Sequence, residues 1–224
     1  MKTEIFNNHF QNFKSYAIPK AQLIIADIPY NLGVNAYASN PAWYKDGDNQ
    51  NGESELAGKE FFDTDKNFKP AEFMHFASQL LRPEPKEKGQ APCMIVFCAF
   101  DRHMYLIELA KRYGLNNYIN LVFRKNFSAQ VLKANMKVVG NCEYGLIFYR
   151  ERLPKFRNKG KMIFNCIDWE RDDISSPLIR KIHPTQKPVK LIEKLIEIFT
   201  DEGDVIIDPC AGSGSTLIAA ANKK

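Results

Sequence analysis

The chain has 224 residues and a formal net charge of +5, with 45% hydrophobic and 25% charged residues. This length suits a single domain with a sizeable core, and the composition is that of an ordinary soluble globular protein. The sequence has neither a signal-peptide pattern nor an apolar stretch of the ~20 residues that span a bilayer, which excludes membrane-spanning proteins and predicts a cytoplasmic one.

The first predicted element is a buried strand. Ala21–Ala26 is a short apolar run that stops at Asp27 and a proline, as a buried strand does where it meets a loop. The following segment, 31–59, is rich in Asn, Gly, Ser and Asp. Its length and irregularity favour a functional loop over a plain connection.

Helices and strands then alternate through the middle of the chain. Pro70 opens a helical pattern whose apolar residues are spaced for one face. Asp101 is predicted to cap a helix that runs to Tyr113 and ends at Gly114. Buried strands are predicted at Met94–Phe100, Tyr118–Arg124 and Tyr144–Arg150.

Periodicity fades from Glu151 to Lys181, where basic residues accumulate. An amphipathic helix follows Pro184, and a strand at Val205–Ile207 then runs into a glycine turn. The residues from Ser215 onward are predicted to be helical. Strands that alternate with helices indicate an α/β domain with a largely parallel sheet.

The cysteines and histidines predict neither a disulfide framework nor a metal site. The five cysteines form no C-x-x-C pair, and several lie in apolar runs, so we expect reduced, buried thiols. The four histidines are scattered along the chain. These residues are Cys93, Cys98, Cys142, Cys166 and Cys210, with His9, His75, His103 and His183.

A glycine-rich turn between a strand and a helix is typical of nucleotide-like cofactor sites. Gly212 and Gly214 let the backbone pass close to a ligand, and the helix that follows presents free N–H groups. A G-x-G alone is weak evidence, and Leu217 stands where a dinucleotide fingerprint has its third glycine. A structural turn therefore stays open on this segment alone.

Three segments in register carry more information. The segment D-I-P-Y at 27–30 resembles the catalytic D-P-P-Y tetrapeptide of the amino-group DNA methyltransferases, with Ile28 in place of the first proline. The segment H-P-T-Q-K-P at 183–188 resembles their H-x-T-x-K-P motif, and D-P-C-A-G-S-G at 208–214 resembles their D-P-F-x-G-S-G cofactor loop. The resemblance extends from about Ala21 to the end of the chain.

The order of these motifs is similar to that of the circularly permuted β-type group of the N6-adenine and N4-cytosine family. The resemblance implies a Rossmann-like S-adenosylmethionine-dependent methyltransferase fold, an α/β domain with a mostly parallel twisted sheet and helices on both faces. It divides the single domain 1–224 into a catalytic half at 21–150, a DNA-recognition insert at 151–182 and a cofactor-binding half at 183–224. Family members usually continue with another strand, so the last half is expected to be incomplete.

The resemblance also implies roles for individual residues. The expected reaction moves a methyl group from S-adenosylmethionine to the N6 amino group of adenine in double-stranded DNA after base flipping. Asp27 and the main-chain carbonyl of Ile28 would draw off the amine hydrogens, Pro29 would fix the turn, and Tyr30 would stack on the base. The implied cofactor-binding residues are Asp27, His183, Thr185, Gln186, Lys187, Asp208, Pro209, Cys210, Ala211, Gly212, Ser213, Gly214 and Thr216.

Several alternatives stay open. Asp27 in the first tetrapeptide position favours adenine over cytosine N4, and over the RNA and protein members that usually carry Asn there. An incomplete, non-catalytic form that binds cofactor or DNA is a further possibility. The basic stretch at 152–181 is expected to contact phosphates and help read the DNA sequence, with an ordinary solvated face as the alternative. Trp43 and Tyr44 either close over DNA or anchor their loop. A cognate restriction nuclease is a candidate partner that the sequence itself does not reveal, and the sequence leaves monomer and homodimer open.

Overall fold

An α/β fold is seen in the computed structural model, which describes residues 2–30, 67–126, 130–133, 136, 138–170 and 186–223. The predicted loop at 31–59, with Trp43 and Tyr44, lies outside the described residues, as do His183 and Thr185. Among the helices within those ranges, none is long and apolar enough to cross a membrane.

Strands and helices alternate at the two ends of the described residues, and five strands follow one another between residues 117 and 169. Short 3-10 helices lie at Phe10–Ser15 and Phe100–Arg102. In chain order the elements are β1 (Leu23–Asp27), α1 (Pro70–Leu80), β2 (Cys93–Cys98), α2 (His103–Arg112), β3 (Asn117–Lys125), β4 (Gln130–Lys133), β5 (Val138–Gly140), β6 (Cys142–Tyr149), β7 (Cys166–Trp169), α3 (Val189–Phe199), β8 (Ile206–Ile207) and α4 (Ser215–Asn222).

One mixed sheet of six strands organises the molecule, in the order β7-β3-β6-β2-β1-β8. β1 pairs in parallel with β2 and β8, and β3 pairs in parallel with β7. β6 runs antiparallel to both of its neighbours, β2 and β3. The carboxyl ends of the five parallel strands therefore share one edge of the sheet, and the first residues of β6 lie at that same edge. β4 and β5 form a separate hairpin.

The sheet separates two apolar layers. On one face α1 and α2 pack on alternate residues of β1, β2 and β6, with Phe73 and Met74 of α1 fully buried. On the other face α3 and Ala219 of α4 pack on the intervening residues, including Phe97 and Phe123. A strand whose side chains are buried on both faces must be apolar throughout, which explains the continuous run of β2. The predicted mostly parallel α/β fold with helices on both faces is confirmed.

Two local predictions are wrong. Phe100 does not end a strand, and Asp101 does not cap a helix, because Phe100–Arg102 forms a 3-10 turn and α2 begins only at His103. The second concerns the thiols: Cys93 and Cys98 are buried as expected, but Cys166 is exposed. Cys166 lies on β7, a four-residue outer strand that alternates exposed and buried positions and that the fading periodicity did not predict.

Candidate active site

Two turns of the chain meet at the carboxyl edge of the sheet. β1 and β8 are parallel neighbours, with Leu23 opposite Ile206 and Ile24 opposite Ile207. Asp27 ends β1, and Asp208 directly follows β8. Because parallel neighbours deliver their carboxyl ends to the same place, segments some 180 residues apart in the sequence become adjacent.

The turn after β1 is fixed by Ile28. Its side chain is buried in the core under α1 and α2, and its N–H donates to the carbonyl of Phe97 on β2 at 3.3 Å. A proline at this position has no N–H and would lose that hydrogen bond. Ile28 therefore anchors the turn by packing and by a hydrogen bond, while Pro29 and Tyr30 stay half-buried above it.

Four charged side chains, two of them buried and two half-buried, form a network beside this turn. The Lys187 ammonium donates to Oδ2 of Asp27 at 2.6 Å and lies 3.3 Å from Oε2 of Glu143. Lys125 forms an ion pair with Oε1 of Glu143. The Tyr30 hydroxyl donates to Oε2 of Glu143 at 3.2 Å. Two cations face two carboxylates, so these charges compensate each other.

Aromatic rings complete the surroundings of the two lysines. The Lys187 nitrogen lies 5.3 Å from the ring centroids of both Tyr30 and Phe97, and 5.8 Å from that of Trp169. The Lys125 nitrogen lies 4.5 Å from the Trp169 centroid. Ring faces attract cations at these distances, which stabilises the position of both ammonium groups.

The network changes the acidity of its members. Burial raises the pKa of the Asp27 carboxyl, and the neighbouring Lys187 offsets only part of that rise. Burial opposes the charge of Lys187 as well, but attraction by Asp27 and Glu143 leaves the pKa of Lys187 above its usual value. Burial also disfavours the ionised Glu143, yet Lys187 and Lys125 together hold its pKa below the usual value. The network thus shifts the pKa values of the two carboxyls in opposite directions.

The turn after β8 has the backbone of a ligand-binding loop. Gly212 and Gly214 have φ of 49° and 76°, in the left-handed region that favours glycine, and Gly214 is the residue from which α4 starts. Asp208 accepts from the N–H of Cys210 at 2.9 Å and from the side chain of Thr216. Burial raises the pKa of Asp208 to about 6, and that of the Cys210 thiol well above its usual value.

Lys187 connects the two turns. The hydroxyl of Ser215, the first residue of α4, donates to the Lys187 carbonyl at 2.8 Å and lies 3.1 Å from the Ser213 hydroxyl. The Lys187 side chain meanwhile reaches Asp27 rather than the glycine turn. The cofactor-binding role that the resemblance implies for Lys187 stays a prediction, and its ammonium contacts Asp27 of the catalytic half. Gln186, just before it, is half-buried.

Three residues of this site carried no predicted role. Glu143 lies at the start of β6, Lys125 ends β3, and Trp169 closes β7 beside them. The signal available in the sequence was a charged residue at each strand boundary, which is also where ordinary solvated charges occur. Their burial distinguishes them, since the Lys125 side chain is 8% exposed and that of Glu143 18%.

Part of the predicted phosphate-binding stretch serves the opposite edge of the sheet. Arg157 pairs with Asp201, and Lys155 pairs with Asp201 and Asp204, which follow α3 and precede β8. Arg152 donates to the carbonyl of Lys86. The phosphate contact predicted for this stretch stays a prediction, and these three basic residues also have partners within the protein. Lys159 and Lys161 are exposed, and Arg171, Arg180 and Lys181 lie outside the described residues.

Comparison with known proteins gives a consistent picture. A family profile described as DNA methylase matches residues 21–224. DNA adenine methyltransferase YhdJ of Escherichia coli K12 is 30% identical over 128 residues, which cover 54% of this chain and 37% of YhdJ. The matched segments of the first curated relatives span half or less of those proteins' own lengths.

Solved structures share the fold at low sequence identity. The cytosine-N4-specific PvuII DNA methyltransferase has a TM-score of 0.64 at 15% identity, covering 93% of this chain and 74% of PvuII. The M1.HpyAVI–SAM complex has a TM-score of 0.60 at 22% identity, covering 95% of this chain and 83% of that one. Likeness at such identities establishes the architecture of the sheet and its helices.

Proposed function

This chain belongs to the DNA methylase family of N6-adenine and N4-cytosine methyltransferases, and on that premise we propose that it methylates the N6 amino group of adenine in double-stranded DNA with S-adenosylmethionine. One observation carries the proposal: Oδ1 of Asp27 is buried and has no hydrogen-bond partner among the described residues. A buried acceptor without a donor costs free energy until a ligand supplies the donor. An exocyclic amine at this edge supplies it.

The residues of the glycine turn fit the methyl donor. Asp208 is a buried carboxylate whose pKa is raised to about 6 by burial, since its hydrogen bonds and the more weakly acting Lys187 offset only part of that rise, and S-adenosylmethionine is cationic. A Cβ added at Gly214 would meet nothing within 4 Å, so the space beside the turn is open to a ligand. Asp208, Gly212 and Ser213 would hold the cofactor. When bound, it supplies an electrophilic methyl group and takes up the electron pair of the broken carbon–sulfur bond.

Asp27 acts on the amine nitrogen. The lone pair of that nitrogen is delocalised into the base, and acceptors for its two hydrogens make it available for bonding to the methyl carbon. Oδ1 of Asp27 accepts one hydrogen and the carbonyl of Ile28 the other, which is stabilisation by preorganised acceptors. The methylated nitrogen then releases one proton to Asp27. The Asp27 side chain is 27% exposed, so the proton can pass on to water.

Tyr30 serves the extruded base. Flipping a base out of the duplex costs a few kcal/mol, and stacking on an aromatic ring returns about 1–3 kcal/mol. The half-buried Tyr30 ring is held by its hydroxyl, which donates to Glu143. A ring already fixed in the free protein loses little conformational freedom when the base arrives.

The choice of adenine over cytosine is supported from two directions. Asp27 occupies the first tetrapeptide position, as the motif of adenine enzymes predicts, and the relative YhdJ is named an adenine methyltransferase. The likeness to PvuII, named cytosine-N4-specific, makes N4 of cytosine the second candidate. Both bases present an exocyclic amine to the same acceptors.

Mass spectrometry of nucleosides tests the proposal. Unmethylated genomic DNA is incubated with the protein and isotope-labelled cofactor, and we expect labelled N6-methyladenine. Asp27→Asn should lower transfer by about 100-fold or more, because it replaces the acceptor with an amide that also donates, while cofactor affinity stays near that of the wild type. Asp101→Asn, an exposed carboxylate, is the matched control.

Each outcome has a definite meaning. Labelled N4-methylcytosine would move the activity to the second candidate. Near-normal turnover by Asp27→Asn would refute the acceptor role, and absence of any methylated base in the wild-type reaction would refute the activity itself.

A further inference from the structure

The two oxygens of Asp27 have different surroundings. Oδ2 accepts from the Lys187 ammonium at 2.6 Å. Oδ1 is buried and has no partner among the described residues. A carboxylate held by one oxygen keeps a fixed plane, so its second oxygen presents its lone pairs in a fixed direction.

Lys187 is itself held at both ends. Its carbonyl accepts from Ser215 at 2.8 Å, and its side chain is 9% exposed among aromatic rings that lie 5.3–5.8 Å from the ammonium. A lysine in solution samples many rotamers, but each rotation away from this position would remove the ammonium from two carboxylates. The ammonium is therefore a fixed support for Oδ2.

Glu143 joins this support to the base-stacking ring. Its Oε2 lies 3.3 Å from the Lys187 nitrogen and accepts from the Tyr30 hydroxyl at 3.2 Å, while Oε1 pairs with Lys125. The Glu143 carboxylate thus holds both the Lys187 ammonium, which binds Asp27, and the Tyr30 ring. Since β6 is antiparallel to β2, Glu143 enters the site from the start of its strand.

We propose that Lys187 and Glu143 are positioning residues of the methyl transfer: Lys187 holds Oδ2 of Asp27 so that Oδ1 alone meets the amine, and Glu143 holds both Lys187 and Tyr30. This inference rests on the proposed function, because it names the atom of Asp27 that acts on the nitrogen. It assigns the lysine of the 183–188 segment to the catalytic carboxylate instead of the cofactor.

Variants that remove one charge at a time test this arrangement. Lys187→Met keeps the length of the side chain without its charge, Lys187→Arg keeps the charge, and Glu143→Gln keeps the shape. Lys190→Met, at an exposed position of α3, is the matched control. For each variant the single-turnover rate of transfer to DNA is measured from acid to alkaline pH, and the cofactor dissociation constant is measured by calorimetry.

The two charge removals should move the acid limb of the rate profile in opposite directions. Transfer needs ionised Asp27, so the rate falls as the pH drops through its pKa. Without the Lys187 ammonium within 4 Å, the Asp27 carboxyl is harder to ionise. Lys187→Met should therefore move the acid limb of the pH–rate profile to higher pH by about 1–3 units. Glu143→Gln removes a like charge and should move the limb down.

The plateau rate reports on positioning. At alkaline pH Asp27 is ionised in every variant, so a loss of about ten-fold or more in Lys187→Met reflects a displaced carboxylate. Its cofactor dissociation constant should stay within about two-fold of the wild-type value, because the loss falls on kcat and not on binding. Lys187→Arg should keep the wild-type limb, and Lys190→Met should match the wild type throughout.

Other results overturn the inference. The positioning role would be refuted if the acid limb of the pH–rate profile did not move in Lys187→Met. It would also be refuted if this limb moved in the same direction in Lys187→Met and Glu143→Gln. A weakened cofactor complex whose rate recovers at saturating cofactor would make Lys187 a cofactor ligand. If Lys187→Met does not fold, Glu143→Gln is the deciding variant. The inference is then refuted if the acid limb of its pH–rate profile moves to higher pH or does not move. If the wild type transfers methyl groups and the variants do so equally well, this inference is refuted and the proposed function stands. If the wild type transfers none, the proposed function is refuted together with this inference.

Discussion

Asp208 is the residue whose substitution should increase stability while it weakens cofactor binding. Burial raises its pKa from 3.8 to about 6, so the folded protein binds the Asp208 proton more tightly than the unfolded chain does. The stability linked to that proton is present below about pH 4 and is lost as the pH rises to about 6. At neutral pH the ionised carboxylate costs the folded state roughly 3 kcal/mol, from 1.36 kcal/mol for each pKa unit.

Asp208→Asn removes that cost and keeps a carbonyl oxygen that can accept from the N–H of Cys210. We expect the free energy of unfolding at pH 7.5 to rise by about 2–3 kcal/mol and the melting temperature by roughly 5–10 °C. The gain should shrink to nothing near pH 4. Urea unfolding of both proteins across this pH range measures it, and calorimetry should show weaker binding of S-adenosylmethionine, since the variant lacks the anion for a cationic ligand.

Asp201→Asn is the control with the opposite sign. Hydrogen bonds from Arg157 and Lys155 hold the pKa of Asp201 below its usual value. Its contribution is present above the unfolded pKa and is lost on acidification, so Asp201→Asn should lower stability at neutral pH. A gain in Asp208→Asn that does not change with pH, or a loss at pH 7.5, would refute the reasoning about Asp208.

Two further predictions concern packing and thiol chemistry. Gly145→Ala would place a Cβ 3.1 Å from both the Phe123 ring and the carbonyl oxygen of Val96, so these neighbours would have to shift by a few tenths of an ångström. We expect a loss of about 1–3 kcal/mol in urea unfolding, and an unchanged midpoint would contradict the packing argument. In the native protein a thiol reagent should label the exposed Cys166, whereas Cys98, buried with a pKa of about 12, should react only on unfolding. Equal labelling rates would show that the core opens locally.

The proximity of the two turns could be predicted from sequence because local rules decide it. Apolar runs that stop at Asp27 and Asp208 indicate strands whose carboxyl ends carry turns, and alternating helices indicate that the strands are parallel. Parallel strands place such turns at one edge. The register in which β1 adjoins β8 then brings them together.

The charge network could not be predicted from sequence, because it depends on the one strand that reverses direction. Antiparallel β6 brings its first residues to the edge where its neighbours end, so Glu143 meets Lys125 and Tyr30 from the opposite direction. A sequence pattern does not reveal the direction of one strand within a mixed sheet. Trp169 was missed for a different reason: β7 is too short to show a period.

The span of Lys187 across the site limits how the two halves of such a protein can be recombined. A chimera joined between residues 150 and 186 takes Asp27 and Glu143 from one parent and residue 187 from the other. If that second parent lacks a cation at this position, the hybrid keeps both carboxylates with Lys125 as the remaining cation of the network, and one carboxylate must take up a proton or admit water. A chimera in this fold should therefore take the 183–188 segment from the same parent as residues 21–150, because Lys187 neutralises the carboxylates of that half.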